Sequence, residues 1–402
     1  MSRHTRRRSS LQVRLLGAGA AVVAVAAAVA TVTVASAHEP GGRTAQRAGA
    51  DHAVFVQGNE LDGNTIHVFE RGDDGTLSAA GRYATGGRGG DQVDAPTDSL
   101  ASQGSLVYDK ASSLLLAVNA GSGTVTSFQV RGRKLIQRQV VDSGGDFPAS
   151  IAVHGNLAYV MNAGGAGSVQ GFRITARGLK PLHGSHRSLG LANDRVPLFS
   201  SSPGQVAFTP DGRALAVTTK SANTVEVFPV RRDGRPARHA VLNRSAGEVP
   251  FAITFDRRGR MLVAEAKNST VTTYRVRRDG RLKTVQAPLP NGQDTLCWLE
   301  RAGDFFYGGN TANSTVTGYR TDAHGSLALT NSLGIATPPS AMSQGVIDLA
   351  VTPDAKFLYV QNALSGTVDG FRVGHDGALT KVTTATGLPS FAESGMEGIA
   401  AV

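Results

Sequence analysis

Of its 402 residues the chain spends only one on cysteine, Cys297, and one on tryptophan. A single thiol excludes an internal disulfide framework and any cysteine-based zinc cluster. The sequence holds no phosphate-binding loop, dinucleotide fingerprint, H-E-x-x-H zinc motif or G-x-S-x-G elbow, so nucleotide, zincin and serine-elbow chemistry have no foothold. Asp91, Asp94 and Asp98 lack the spacing and glycine of a calcium loop and read as a solvated loop. No cofactor and no metal is expected. Beyond residue 37 no stretch reaches 18 uncharged apolar residues, which leaves nothing long enough to span a membrane as a helix. Basic excess is also smaller than it looks. The formal +10 includes five arginines in residues 1–37, and without them 36 basic residues face 31 acidic ones. Arginines scattered over turns such as Arg231-Arg232-Asp233 make no basic stripe, so nucleic acid is not an expected partner.

What is present begins with an export signal. Arg3, Arg6, Arg7, Arg8 and Arg14 precede an uncharged run, Leu15 to Ala37, built of Ala, Val and Gly. It ends in Ala35-Ser36-Ala37, the small-x-small pattern that a signal peptidase cleaves. Residues 1–37 therefore read as a signal peptide, with a retained membrane anchor as the alternative, and residues 38–50 as a flexible leader. Either the general secretory or the twin-arginine route fits Arg6-Arg7-Arg8. The mature protein is expected outside the cytoplasm and free of the membrane.

From residue 51 onwards one pattern recurs seven times: a β-branched residue, two spacers and an aromatic. It runs from Ile66-His67-Val68-Phe69 through Val225-Glu226-Val227-Phe228 to Val368-Asp369-Gly370-Phe371. Six residues past the aromatic stands a glycine in six copies, four of them after Asp, as in Asp74-Gly75 and Asp376-Gly377. Asp-Gly is a hairpin signal, because that turn needs positive φ angles. Upstream of each aromatic lie two more short β-like runs, giving four strands per repeat of propeller-blade length. The first repeat lacks an innermost strand, and Ile399-Ala400-Ala401-Val402 supplies one with no blade to follow. The expectation is an all-β, single seven-bladed β-propeller over 51–402, closed by pairing of the C-terminal strand with the N-terminal blade. A closed ring protects its own edges, so a monomer is expected.

Tyr159-Val160-Met161-Asn162 and Tyr359-Val360-Gln361-Asn362, with Thr-Pro-Asp turns at Thr209 and Thr352, are Y-V-x-N repeats. In them the chain resembles the lactonase-type β-propellers, which include 6-phosphogluconolactonases and carboxymuconate-lactonising enzymes. The resemblance implies metal-free opening or closing of a lactone, as a hydrolase or a cycloisomerase. Export points away from phosphorylated sugars, toward a sugar lactone or a muconate-type lactone. The histidines or arginines that catalytic members often carry after the proline at the entry to the innermost strands are absent, as in Val249-Pro250-Phe251-Ala252. A non-catalytic propeller binding a glycan or a protein is therefore the alternative.

Aligning the repeats yields candidate site residues, all placed on the face of the long inter-blade loops, where function commonly sits. Six residues before the β-branched position stand Asn119, Asn310 and Asn362, with Asn162 one residue further off. Glu265 breaks this ring as a candidate general base, or else is a surface carboxylate paired with Lys267. A second ring, just before the innermost strands' aliphatic position, reads Ser105, Ser150, Gln205, Ala252, Thr295, Asp348 and Gly398. Asp348 is its only charge and the second catalytic candidate. Arg195 and His186, in the loop after the third repeat, are candidates for stabilising the ring-opening oxygen. The asparagines and Gln205 are candidates for binding substrate. Asparagine at a strand end also has a purely structural use, mimicking a backbone turn.

Overall fold

The computed structural model describes residues 52–322 and 324–402; the signal and leader assignments lie outside them. Seven four-stranded antiparallel sheets form the blades, with one extra short strand, Arg187–Ser188, on blade 3. Their innermost strands neighbour one another in cyclic order and so complete the ring. Blade 1 is closed as expected: Val54, Phe55 and Val56 pair with Ala401, Ala400 and Ile399 of the chain-terminal strand.

Burial follows strand position. Second strands such as Leu114–Asn119 and Met261–Glu265 are buried along their whole length, because neighbouring blades cover both sheet faces. Outermost strands such as Lys134–Asp142 keep most residues at the surface. The repeated aromatics Phe128, Phe172, Phe228, Tyr274 and Tyr319 are all buried between blades.

The Y-V-x-N residues have mechanical roles. Tyr159 donates its hydroxyl to the carbonyl of Gly234 in the next blade's hairpin turn at 2.7 Å. Tyr359 does the same to Gly75 at 2.9 Å and Tyr307 to Gly377 at 2.8 Å. Each latch ties the second strand of one blade to the third-to-fourth-strand turn of its neighbour. Gly75 has a φ of 92°, and a Cβ there would lie 2.3 Å from the Phe357 ring. Glycine is therefore required twice over, for the turn and for the blade contact.

Candidate functional site

The asparagine ring lies inside the blades and is spent there. Asn310 donates from Nδ2 to the hydroxyls of Thr315 and Thr317, five and seven residues ahead, at 3.0 and 2.8 Å. Asn119 reaches Thr124 and Thr126 in the same way. Asn362 reaches Thr367 and Asp369, and Asn162 reaches Ser168 and the Ser143 carbonyl. All four are fully buried. Each pins the end of a second strand to the start of the third.

Glu265 takes the same place in blade 5 with the hydrogen bonds reversed. Its Oε2 accepts from Thr270 and Thr272 at 2.6 and 2.8 Å, and its Oε1 from Ser245 Oγ and the Gly247 amide at 3.0 and 2.8 Å. Four donors fill a carboxylate's capacity, and no surface of Glu265 meets solvent. Its expected partner, Lys267, pairs instead with Glu248 at 2.6 Å. Glu60 is the corresponding acid of blade 1. Burial raises its pKa, but the nearby His67 imidazole at 3.8 Å, hydrogen bonds from its own backbone and Thr65, and the Arg82 charge outweigh that and hold it down at about 2.

The inter-blade-loop end of the channel is plugged. Residues 98–103, read from sequence as part of a solvated loop, are all buried. Asp98 caps the Leu100 and Ala101 amides at 3.1 and 2.8 Å, and Glu397 also accepts from Leu100 at 2.8 Å. Ser102 donates to the Ala149 carbonyl, while Gln103 exchanges hydrogen bonds with the Leu299 backbone in blade 6. Lys220 is buried beneath this segment. Its ammonium donates to the Ala101 carbonyl at 3.2 Å and lies 4.7 Å from the centre of the Phe199 ring. Burial lowers its pKa to about 8, although the Asp98 charge acts the other way. In blade 6 the register places Trp298, not Thr295, opposite the position of Asp348. Its indole donates to the Ser102 carbonyl at 3.2 Å, so an aromatic fills what was expected to be a wet, small-residue ring. Cys297 is buried beside it, and that burial pushes its thiol up to about 12.

A cavity of about 550 Å³ lies on the other side of the plug. Its deep end holds Gln103, Gln205, Glu300 and Asp348, and its rim includes Lys110 and Pro353 from first-to-second-strand turns. It therefore opens on the face opposite the one favoured from sequence. Asp348 and Glu300 come from the neighbouring innermost strands of blades 7 and 6. Asp348 is buried, with Oδ1 accepting from the Leu349 amide at 2.9 Å. Burial first, then the Glu300 charge, raises its pKa well above the carboxylate range. Glu300, half-buried, accepts from Gln103 Nε2 at 2.9 Å, and desolvation pushes it up to about 7. Gln205 accepts from the Ile253 amide at 2.5 Å through Oε1.

Of the sequence-derived candidates, the structure brings Asp348 and Gln205 together and leaves the others elsewhere. Arg195 is exposed and paired with Asp146 at 3.0 Å on the inter-blade-loop face. His186 is exposed beside the short outer strand of blade 3. Glu300 is the residue that sequence alignment missed. It follows the aliphatic Leu299, where the other blades carry Val107, Ala152, Ala207, Thr254, Ala350 and Ala400. Anchoring blade 6 at Thr295 hid it, because the corresponding position then reads Cys297.

The family model described as a lactonase, seven-bladed β-propeller, matches residues 197–298. No curated protein sequence matches the chain. Among solved structures, the periplasmic gluconolactonase of Pseudomonas aeruginosa superposes with a TM-score of 0.63 at 20% identity, over 84% of this chain and 98% of that one. A protein from Lactobacillus plantarum gives 0.66 at 19% identity, covering 84% and 96%. A provisionally assigned 6-phosphogluconolactonase from Bacteroides uniformis gives 0.63 at 16%, covering 84% and 98%. At these identities the structural likeness speaks for the fold.

Proposed function

Starting from a chain that resembles the lactonase-type seven-bladed propellers, we propose that it hydrolyses a neutral, non-phosphorylated sugar lactone in the axial cavity. The observation carrying this reading is the pair of unlike carboxyl groups at the cavity's deep end. Burial and the Glu300 charge favour the protonated form of Asp348, the more enclosed, while burial pushes Glu300 up to about 7. Two acids pushed apart by their surroundings are suited to opposite roles, although they titrate as a coupled pair.

In the proposed step Glu300 takes a proton from water as the water oxygen bonds to the lactone carbonyl carbon. Collapse of the tetrahedral intermediate breaks the bond from that carbon to the ring oxygen, and Asp348 protonates the departing oxygen. Proton exchange with solvent restores both acids, so the net change is addition of one water. Gln103 holds Glu300 in place through its 2.9 Å hydrogen bond. The Glu300 carboxylate, ionised as the base, repels anionic substrates, which favours a sugar lactone over a muconate-type lactone. The signal read in residues 1–37 supports action outside the cytoplasm, away from phosphorylated sugar lactones.

The test is proton release by the purified protein on glucono-, galactono-, acyl-homoserine and muconate-type lactones. Turnover should be confined to the neutral sugar lactones. kcat/KM should rise through about pH 7 as Glu300 ionises and fall once the pH exceeds the raised pKa of Asp348. No turnover on any lactone, with the fold intact by circular dichroism, would overturn the reading.

A further inference from the structure

The turns that looked scattered in sequence converge in three dimensions. A groove of about 1030 Å³ runs between blades 4 and 5 and is lined by seven arginines: Arg213, Arg232, Arg258, Arg260, Arg275, Arg277 and Arg278. His324 closes one end, and Asp211 is the only acid in the lining. It is built from first-to-second and third-to-fourth-strand turns, so it shares a face with the mouth of the axial cavity.

Two features set this groove apart from an ordinary arginine-rich surface. Elsewhere some exposed arginines are neutralised, as in the pairs Arg82–Glu60, Arg195–Asp146 and Arg257–Asp304, and others such as Arg88, Arg131 and Arg320 stand singly; the groove differs in gathering its unpaired arginines into one concavity. In the groove Arg232, Arg258, Arg275, Arg277 and Arg278 form no ion pair among the described residues. The floor is also rigid. Arg260 is buried, held by Asp256 through Nε at 2.5 Å and by the His324 carbonyl through Nη1 at 2.5 Å. A Cβ on Gly325 would sit 1.2 Å from that guanidinium, so the glycine is needed for Arg260 to lie there.

We propose that this groove binds an acidic polysaccharide, its carboxylate or sulfate groups gripped by the unpaired guanidinium groups. Concentrating five uncompensated cations in one concave surface costs self-repulsion, which a polyanion would relieve while releasing its counterions. Guanidinium groups suit planar carboxylates and sulfates through paired N–H donors. No Phe, Tyr or Trp is among the groove's described lining residues; single-stranded nucleic acid binding relies chiefly on such rings for base stacking. The site is separate from the axial cavity and does not depend on lactone turnover.

The test uses fluorescently labelled heparin and polygalacturonate oligomers, with neutral dextran and a single-stranded oligodeoxynucleotide of equal charge for comparison. Anisotropy titrations would be run at about 50 and 200 mM salt, a range over which ionic contacts weaken strongly. The Arg275→Ser/Arg277→Ser/Arg278→Ser variant should bind at least about tenfold more weakly than the parent, with a flatter salt dependence. Lys134→Ser/Arg138→Ser/Arg177→Ser removes the same charge from exposed positions on blades 2 and 3 and should stay within about twofold of the parent, as expected when charges are lost outside a contact surface. Binding of either acidic oligomer with this pattern supports the proposal, and the tighter one identifies the anionic group. Equal losses in both variants, equal binding of dextran, or binding of neither oligomer would overturn it. DNA binding as tight as the sugars would also overturn it, assigning the groove to nucleic acid. Circular dichroism of both variants checks that a lost signal is not lost folding.

Discussion

Glu265 and Glu300 are glutamates of adjacent blades, and their surroundings could hardly differ more. Glu265 receives four hydrogen bonds from Ser245, Gly247, Thr270 and Thr272. Glu300 receives one from a side chain, Gln103, and borders open space beside another carboxyl. Low exposure alone therefore does not mark a candidate catalytic acid. The supply of donors does: a fully hydrogen-bonded carboxylate is stable as an anion and has no lone pair left for a proton or a ligand.

The comparison can be broken most severely at the cavity. If the proposed roles hold, Asp348→Asn and Glu300→Gln should each lower kcat by about 10²–10⁴-fold, the span typical of a lost general acid or base. Proton-release assays would read this, and Glu265→Gln should change turnover far less in whatever fraction remains folded. Next in size is the stability cost at the turn. Glu265→Ala strands four buried donors and should lose roughly 3–5 kcal/mol in urea unfolding. A loss below about 1 kcal/mol would show that water replaces the carboxylate readily.

Stability should move the opposite way at Glu300. Its folded pKa of about 7 lies above the ordinary glutamate value, so the folded state holds a proton that the unfolded state has already released between about pH 4.5 and 7. Stability then falls as pH rises through that window, and Glu300→Gln should relieve up to about 3 kcal/mol at pH 8 and nothing below pH 4. Urea midpoints at the two pH values check it. Smallest of all should be Lys267→Ala. Its pair with Glu248 is more than half exposed on both sides, and thermal melts should shift by no more than about 1 kcal/mol allows.

The repeats and the ring closure were legible because they rest on local, repeated signals: strand alternation, Asp-Gly turns and a surplus innermost strand. The alignment faltered in blade 6, where Trp298 occupies a position that holds small or polar residues in the other blades. The plug was not legible at all. Asp98-Ser99-Leu100-Ala101-Ser102-Gln103 reads as a surface loop, and its burial depends on Ala149, Leu299, Glu397 and Lys220, each from a different blade. Local composition carries no trace of such distant partners. The site's location followed from this error, because blocking one channel end leaves the cavity to the other.

Pairing of Ala53–Gln57 with Glu397–Ala401 also orders events during synthesis. Until the last of these residues leaves the ribosome, blade 1 has only its own three strands, and Ala53–Gln57 is a bare edge with free backbone groups. Every other blade can assemble from contiguous chain as it emerges. The ring is thus vulnerable to edge-to-edge association for almost the whole of translation, and its final step joins the two most distant strands in the chain, a long-range closure of the kind that folds slowly. A chain exported by the general secretory route would complete that step after crossing the membrane, so delayed closure and passage in an unfolded state are compatible needs.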